Sequence, residues 1–219
     1  MLLKRTLAAL AMLAAPACAG RAIPETLDPP VADGAVRTTA PDRARRVVFE
    51  WRMLDGDARF SGRGVARIEP PYHARLDLFG PRDEGVLSAA LVDHEIRLPP
   101  GTPAVPLPPP AMLCAVLGSV VPPVDAVLAG TRVEEASTEL HYAVDGGRLW
   151  YRLEDGRLTD VSWEGEERRM DADLSGQAAA GLPANAVFRD WSGYTELRIT
   201  VEQVEDVDTF PRDIWSPGA

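Results

Sequence analysis

Polar and apolar residues alternate through most of this chain, and the alternation marks out strands. In "RRVVFEWRM", Val47, Phe49, Trp51 and Met53 share one face, with Glu50 and Arg52 on the other, as in a half-buried strand. Asp55-Gly56 supplies a hairpin turn. "ARFSGRGVARIE" returns as a second strand, in which Gly62 and Gly64 permit sharp bending or close approach. "HARLDLFG" alternates again, Leu76 and Leu78 opposite Asp77, until Gly80-Pro81 breaks it. "EGVLSAALVDHEIRLPPG" predicts two further short strands. Later, "STELHYAVDGGRLWYRLEDGRLTDVSWEG" is a meander with turns at Asp145-Gly146-Gly147 and Asp155-Gly156. "AVFRDWSGYTELRITVEQVE" gives two more strands, with Leu197, Ile199 and Val201 inward.

The period changes once. After a proline-dense stretch over 99–110, "PAMLCAVLGSVVPP" predicts a short helix over 111–118, with Pro110 suited to its first turn and Gly118 and Pro122 to its end. Met112, Leu113, Cys114, Val116 and Leu117 leave it almost no polar side, so it is buried or covers an apolar surface. About nine or ten antiparallel strands with one apolar helix and no βαβ alternation predict a mainly β fold. The expected architecture is a single curved antiparallel sheet, a half-open barrel with the helix as a lid inside its concave face. One domain over 43–210 and a C-terminal tail over 211–219 account for this part of the chain.

The N-terminus is of another kind. Lys4 and Arg5 precede the apolar stretch "LAALAMLAAPACAG", which is far too short to span a bilayer and has the layout of a secretory signal peptide over 1–17. Ala15-Pro16-Ala17-Cys18 resembles a bacterial lipobox, in which the cysteine is acylated and becomes the first mature residue. Ordinary cleavage after Ala17 or Ala19 is the alternative. Residues 18–42, rich in proline and poor in large apolar side chains, suggest a flexible tether. The formal net charge is −10. Removing 1–17 takes away Lys4 and Arg5 and leaves −12. An acidic body does not suit nucleic acid or anionic headgroups. Membrane association would come from a lipid on Cys18 or from apolar surface. If Cys18 is acylated, Cys114 has no side-chain partner for a disulfide.

Chemistry-bearing motifs are few. His73, His94 and His141 lack metal-site spacing and cysteine neighbours. The sequence has no phosphate-binding glycine loop and no nucleophile elbow. The acidic "WEGEERRMDAD" is expected as a solvated turn. No catalytic residue, metal or cofactor is implied, and the expectation is a protein that is not an enzyme.

Four segments, in order, resemble LolB, the outer-membrane lipoprotein receptor, and more broadly the LolA/LolB fold. They are "FEWRM", "ARLDLFGPRDEGVLSAALVDHEIRL", "LPPPAMLCAVLGSVVPP" and "GLPANAVFRDWSGYTELRITVEQVE". Together they cover roughly 45–205, and their order and spacing carry the likeness. The resemblance implies a half-open barrel whose apolar cavity holds acyl chains. Its candidate lining is Phe49, Trp51, Met53, Leu76, Leu78, Leu113, Val116, Leu117, Tyr151, Trp163, Phe188, Leu197 and Ile199; any one of these alone reads more readily as dry core, whereas the set together is what a ligand pocket in a barrel requires. One departure concerns the loop at Pro81. Where the family carries a protruding apolar residue tied to membrane insertion of cargo, this chain has Arg82, then Asp83 and Glu84. Charges enter hydrocarbon poorly. The resemblance implies a monomeric envelope lipoprotein that binds acyl chains, lipid or lipoprotein cargo. It would sit at the periplasmic face of the outer membrane through its anchor, or otherwise in the periplasm. A structural or assembly lipoprotein, using a filled barrel as a protein-interaction scaffold, is the alternative.

Overall fold

Twelve strands hydrogen-bond into one antiparallel sheet, seen in a computed structural model that describes residues 28–102 and 106–218. The signal peptide, Cys18 and the first part of the tether lie outside the described residues. The N-terminal half is a meander of β1 (Arg45–Asp55), β2 (Ala58–Glu69), β3 (His73–Phe79), β4 (Gly85–Val92) and β5 (Glu95–Arg97). The C-terminal half runs through β6 (Val127–Glu134), β7 (Ser137–Val144), β8 (Gly147–Glu154), β9 (Arg157–Gly165), β10 (Arg169–Ser175), β11 (Asn185–Asp190) and β12 (Thr195–Asp206). Pairing of β1 with β12 joins the halves, and β5 and β6 are the two free edges. The sheet is open, and the connection between those edges carries the helix α2 (Pro110–Val116).

The strands form where the alternation predicts, because one face of each is buried. Val47, Phe49, Trp51 and Met53 are buried on β1, while Glu50 and Arg52 are exposed. The β2 glycines answer to these large side chains. Gly64 pairs with Phe49, and a Cβ there would stand 2.4 Å from the ring. A Cβ on Gly62 would stand 1.8 Å from the Phe79 carbonyl oxygen. The backbone thus approaches closely enough for Trp51 Nε1 to donate to the carbonyls of Arg63 at 3.1 Å and Phe79 at 3.2 Å.

Two expectations need correction. The stretch over 18–42 is not tether throughout, because Pro29–Thr39 forms helix α1. Asp28 caps it by accepting from the Val31 amide, and prolines occupy its first turn, where their missing N–H groups cost nothing. Ala32 and Ala35 join the core. The acidic stretch around Trp163 is a turn only over 166–168, because β9 runs to Gly165. Arg169–Ser175 is β10, with Met170, Ala172 and Leu174 buried and its acids outward. The C-terminal tail is docked on the sheet over 211–218. Trp215 packs on Ala90 and Val92 across the outer face, with Phe210 and Ile214 beside it. Arg75 Nη1 donates to the Ile214 carbonyl at 2.7 Å. Among the described residues, no helix is long and apolar enough to cross a membrane.

The apolar concave face and its helix

The inward positions of the sheet and all of α2 form one core. Phe49, Trp51, Met53, Leu76, Leu78, Leu113, Val116, Tyr151, Phe188, Leu197 and Ile199 are buried in it, and Leu117 and Trp163 are half-buried against it. Phe49, Phe188 and Leu113 are each 1% exposed and Tyr151 0%. These side chains pack in one cluster with α2, so in this conformation the concave face is covered by the protein's own helix.

Among the described residues, apolar contact alone holds α2 to the sheet. All seven of its residues are small or apolar, with no side-chain cap and no charge in either end turn. It lies against β9, β10 and β11. Gly118, at φ +86, turns the chain out of the helix as the Ser119 amide bonds back to the Cys114 carbonyl. Beyond it is a polar latch. The Val120 amide donates to Thr39 Oγ1 at 2.9 Å, and Ser119 Oγ donates to the Thr39 carbonyl at 3.1 Å. The lid segment is thereby tied to the end of α1, beside a cleft of about 390 Å³ bordered by Thr39, Leu117 and Ser119.

Tyr142, Tyr151 and Cys114 bring polar groups into this interior. The Tyr142 and Tyr151 rings meet edge-on with centroids 6.1 Å apart. Burial, then the Asp33 charge on α1, pushes the Tyr142 hydroxyl up to about 12. Burial raises Tyr151 well above the ordinary tyrosine value, with smaller contributions from Cys114 and Tyr142. Burial likewise pushes the Cys114 thiol up to about 12. Cys114 is free and buried.

The Pro81–Arg82 loop lies apart, fully on the surface. It is an ordered turn: the Gly80 amide donates to the Glu84 carbonyl at 2.8 Å, and the Arg82 amide to Glu84 Oε2 at 2.8 Å. Other exposed side chains gather at the same end of the sheet. Phe60 is 51%, Trp191 48% and Tyr194 76% exposed, and Leu54, Trp191 and Tyr194 border a cleft of about 490 Å³. His141 belongs to a buried cluster on the outer face. Its Nε2 lies 3.3 Å from Glu139 Oε2, Arg152 Nη2 donates to Glu139 Oε1 at 2.8 Å, and Trp150 stacks on the imidazole.

Some members of the site are absent from the sequence expectation. Leu140 and Leu149 share the alternation that marks Tyr151, so their signal is present in the same meander. Met170 and Leu174 are obscured by intervening acids. Thr39 carries no sequence signal, since its role depends on where residue 120 returns.

No family model matches the chain. No curated protein matches it either. Solved structures do match. A LolA superfamily protein from Nitrosomonas europaea aligns at 9% identity over 84% of this chain and 97% of that one, with TM-score 0.59. A domain from Vibrio parahaemolyticus described as outer-membrane lipoprotein-sorting aligns at 8% identity over 84% and 94%, with TM-score 0.54. An open, curved antiparallel sheet wrapped on a short helix is the LolA/LolB fold, and this chain has it. At these identities the likeness is one of fold.

Proposed function

We propose that this protein is an envelope lipoprotein that binds acyl chains, of lipid or lipoprotein cargo, in the concave face now occupied by α2. The observation that carries the proposal is a helix of seven small or apolar residues held by apolar contact alone, with its polar tie confined to one end. Such a helix can be exchanged for another apolar body at little net cost. Re-exposing Met112, Leu113 and Val116 costs about 1.5–3 kcal/mol each, whereas a chain burying about ten CH2 groups gains about 8 kcal/mol. The two are comparable, so occupancy is decided by cargo supply and by the latch. The names of the two structural neighbours, a LolA superfamily protein and a lipoprotein-sorting domain, support the same direction. In this proposal Cys18 is acylated, the body stays in the periplasm at the membrane surface, and the protein acts as a monomeric carrier or receptor rather than an enzyme.

The test is purification from native membranes followed by lipid mass spectrometry, with Leu113→Asp as comparison. The wild type should carry bound acyl lipid at near one per chain. Leu113→Asp places a charge where an unpaired ion is very costly, which penalises the state with α2 seated and not the state with α2 displaced, so the variant should keep its lipid. Wild-type protein free of lipid would refute the carrier reading. A second reading, the interaction scaffold, rests on the filled core together with exposed Phe60, Trp191 and Tyr194. It predicts that Trp191→Ser with Tyr194→Ser abolishes association with a partner protein and leaves lipid content untouched.

A further inference from the structure

Among the described residues, one side-chain oxygen or nitrogen is buried without a hydrogen-bond partner: the hydroxyl of Tyr151. It sits in the middle of the proposed acyl site. The residue is 0% exposed, on β8, within the core that includes α2. Elsewhere the buried polar groups of the inner face are satisfied, Trp51 Nε1 by two carbonyls. A phenylalanine would supply the same ring without an orphaned hydroxyl, and leaving such a group unpaired is unfavourable. The hydroxyl therefore has a natural role only in a state where α2 gives way to something that offers an acceptor.

We infer that Tyr151 is the polar anchor of the site, donating its hydroxyl proton to the neutral carbonyl oxygen of an acyl ester bound in place of α2. This rests on the carrier reading and deepens it. An ester suits the position better than a free carboxylate, because the surroundings are apolar and an ion there has no cationic partner. Ligand sites of this kind are mostly apolar, with a few placed polar groups that fix orientation. Tyr151 fixes the carbonyl, while the alkyl chain lies against Leu149, Phe188 and Met170.

The experiment uses the full chain carrying Cys18→Ala and two probes, palmitoyl lysophosphatidylcholine and its ether-linked hexadecyl analogue, which differ in the carbonyl. Binding is followed by calorimetry below the micellar concentration. The original Tyr151 protein should prefer the ester by about 3- to 10-fold, the worth of one hydrogen bond. In Tyr151→Phe the ratio should fall to about one, and the melting temperature of the lipid-free protein should rise by about 2–4 °C, as expected from removing one unsatisfied buried group. A preference for the ester that persists in Tyr151→Phe, an ester-to-ether ratio of one with Tyr151 present, or a lowered melting temperature in the variant would each overturn the inference and leave the carrier reading standing. Binding of neither probe would overturn the carrier reading and the inference with it.

Discussion

Thr39 joins two elements that the fold could otherwise leave independent, and its removal is a direct way to loosen the lid. Thr39→Val keeps the shape and deletes the hydroxyl. The Val120 amide then loses its acceptor at 2.9 Å, and since Val120 is 0% exposed, no water replaces it. Leaving a buried donor unpaired costs about 1–3 kcal/mol. The hydroxyl also donates to the Ala35 carbonyl at 2.9 Å within α1, but that carbonyl keeps its helical role, so the loss falls mainly on the lid. A cost of about 1–2 kcal/mol corresponds to a melting temperature lowered by about 2–8 °C in a chain of this size. Local opening of residues 110–120 should rise by about 5- to 30-fold. Amide hydrogen exchange reads this segment by segment: protection should fall in 110–120 and hold in β1 and β12. Faster acyl uptake should accompany it. Unchanged exchange over 110–120, with any loss of stability spread evenly through the sheet, would refute the latch.

Other outcomes follow from the same geometry. Gly64→Ala would put a methyl 2.4 Å from the Phe49 ring, and by overpacking should destabilise the fold by about 1–3 kcal/mol in urea denaturation. Burial holds the Cys114 thiol protonated to about 12, against 9.0 when exposed, so between those values the unfolded chain has lost a proton that the folded chain keeps. Stability from this group therefore falls as pH rises, by up to about 1.4 kcal/mol per pH unit, and Cys114→Ala should flatten the decline between about pH 9.5 and 11. Cys18→Ala should move the protein from the membrane fraction to the soluble periplasm, with loss of the acyl mass from the mature N-terminus. The charged turn at Arg82 should prevent the protein from sustaining cells depleted of LolB, while Arg82→Leu raises lipoprotein delivery to liposomes; full replacement by the unaltered chain would show that the loop does not decide delivery.

Much of the fold is legible in the sequence because one-sided burial leaves a period of two. Val47-Phe49-Trp51-Met53 is unambiguous, and the helix after the proline-dense stretch shows itself by lacking any polar side. What escapes notice does so for physical reasons. In "RMDADLS" the inward residues are a methionine, an alanine and a leucine between acids that pair outward, so the acids dominate the local composition although Met170 is only 1% exposed. The helix α1 buries only alanines, and its prolines look like breakers until their place in the first turn is known. β6 begins after a turn with Val127 65% exposed, so alternation there has little amplitude. The candidate lining residues are recognisable individually, but whether they surround a space or a helix depends on the path of the 98–126 connection across the concave face. The latch at Thr39 and the orphaned Tyr151 hydroxyl are properties of that path, and no local pattern encodes them.

The central claim is that acyl chains take the place of α2 against the inner face of the sheet. Photocrosslinking with a palmitoyl ester bearing a diazirine near the end of its chain tests it most directly, with adducts mapped by peptide mass spectrometry on the intact protein. The account predicts labelling at inward positions such as Leu149, Met170 and Phe188, together with Met112 or Leu113 of the displaced helix. Labelling confined to the exposed aromatics Phe60, Trp191 and Tyr194, with the inner face untouched, would contradict it.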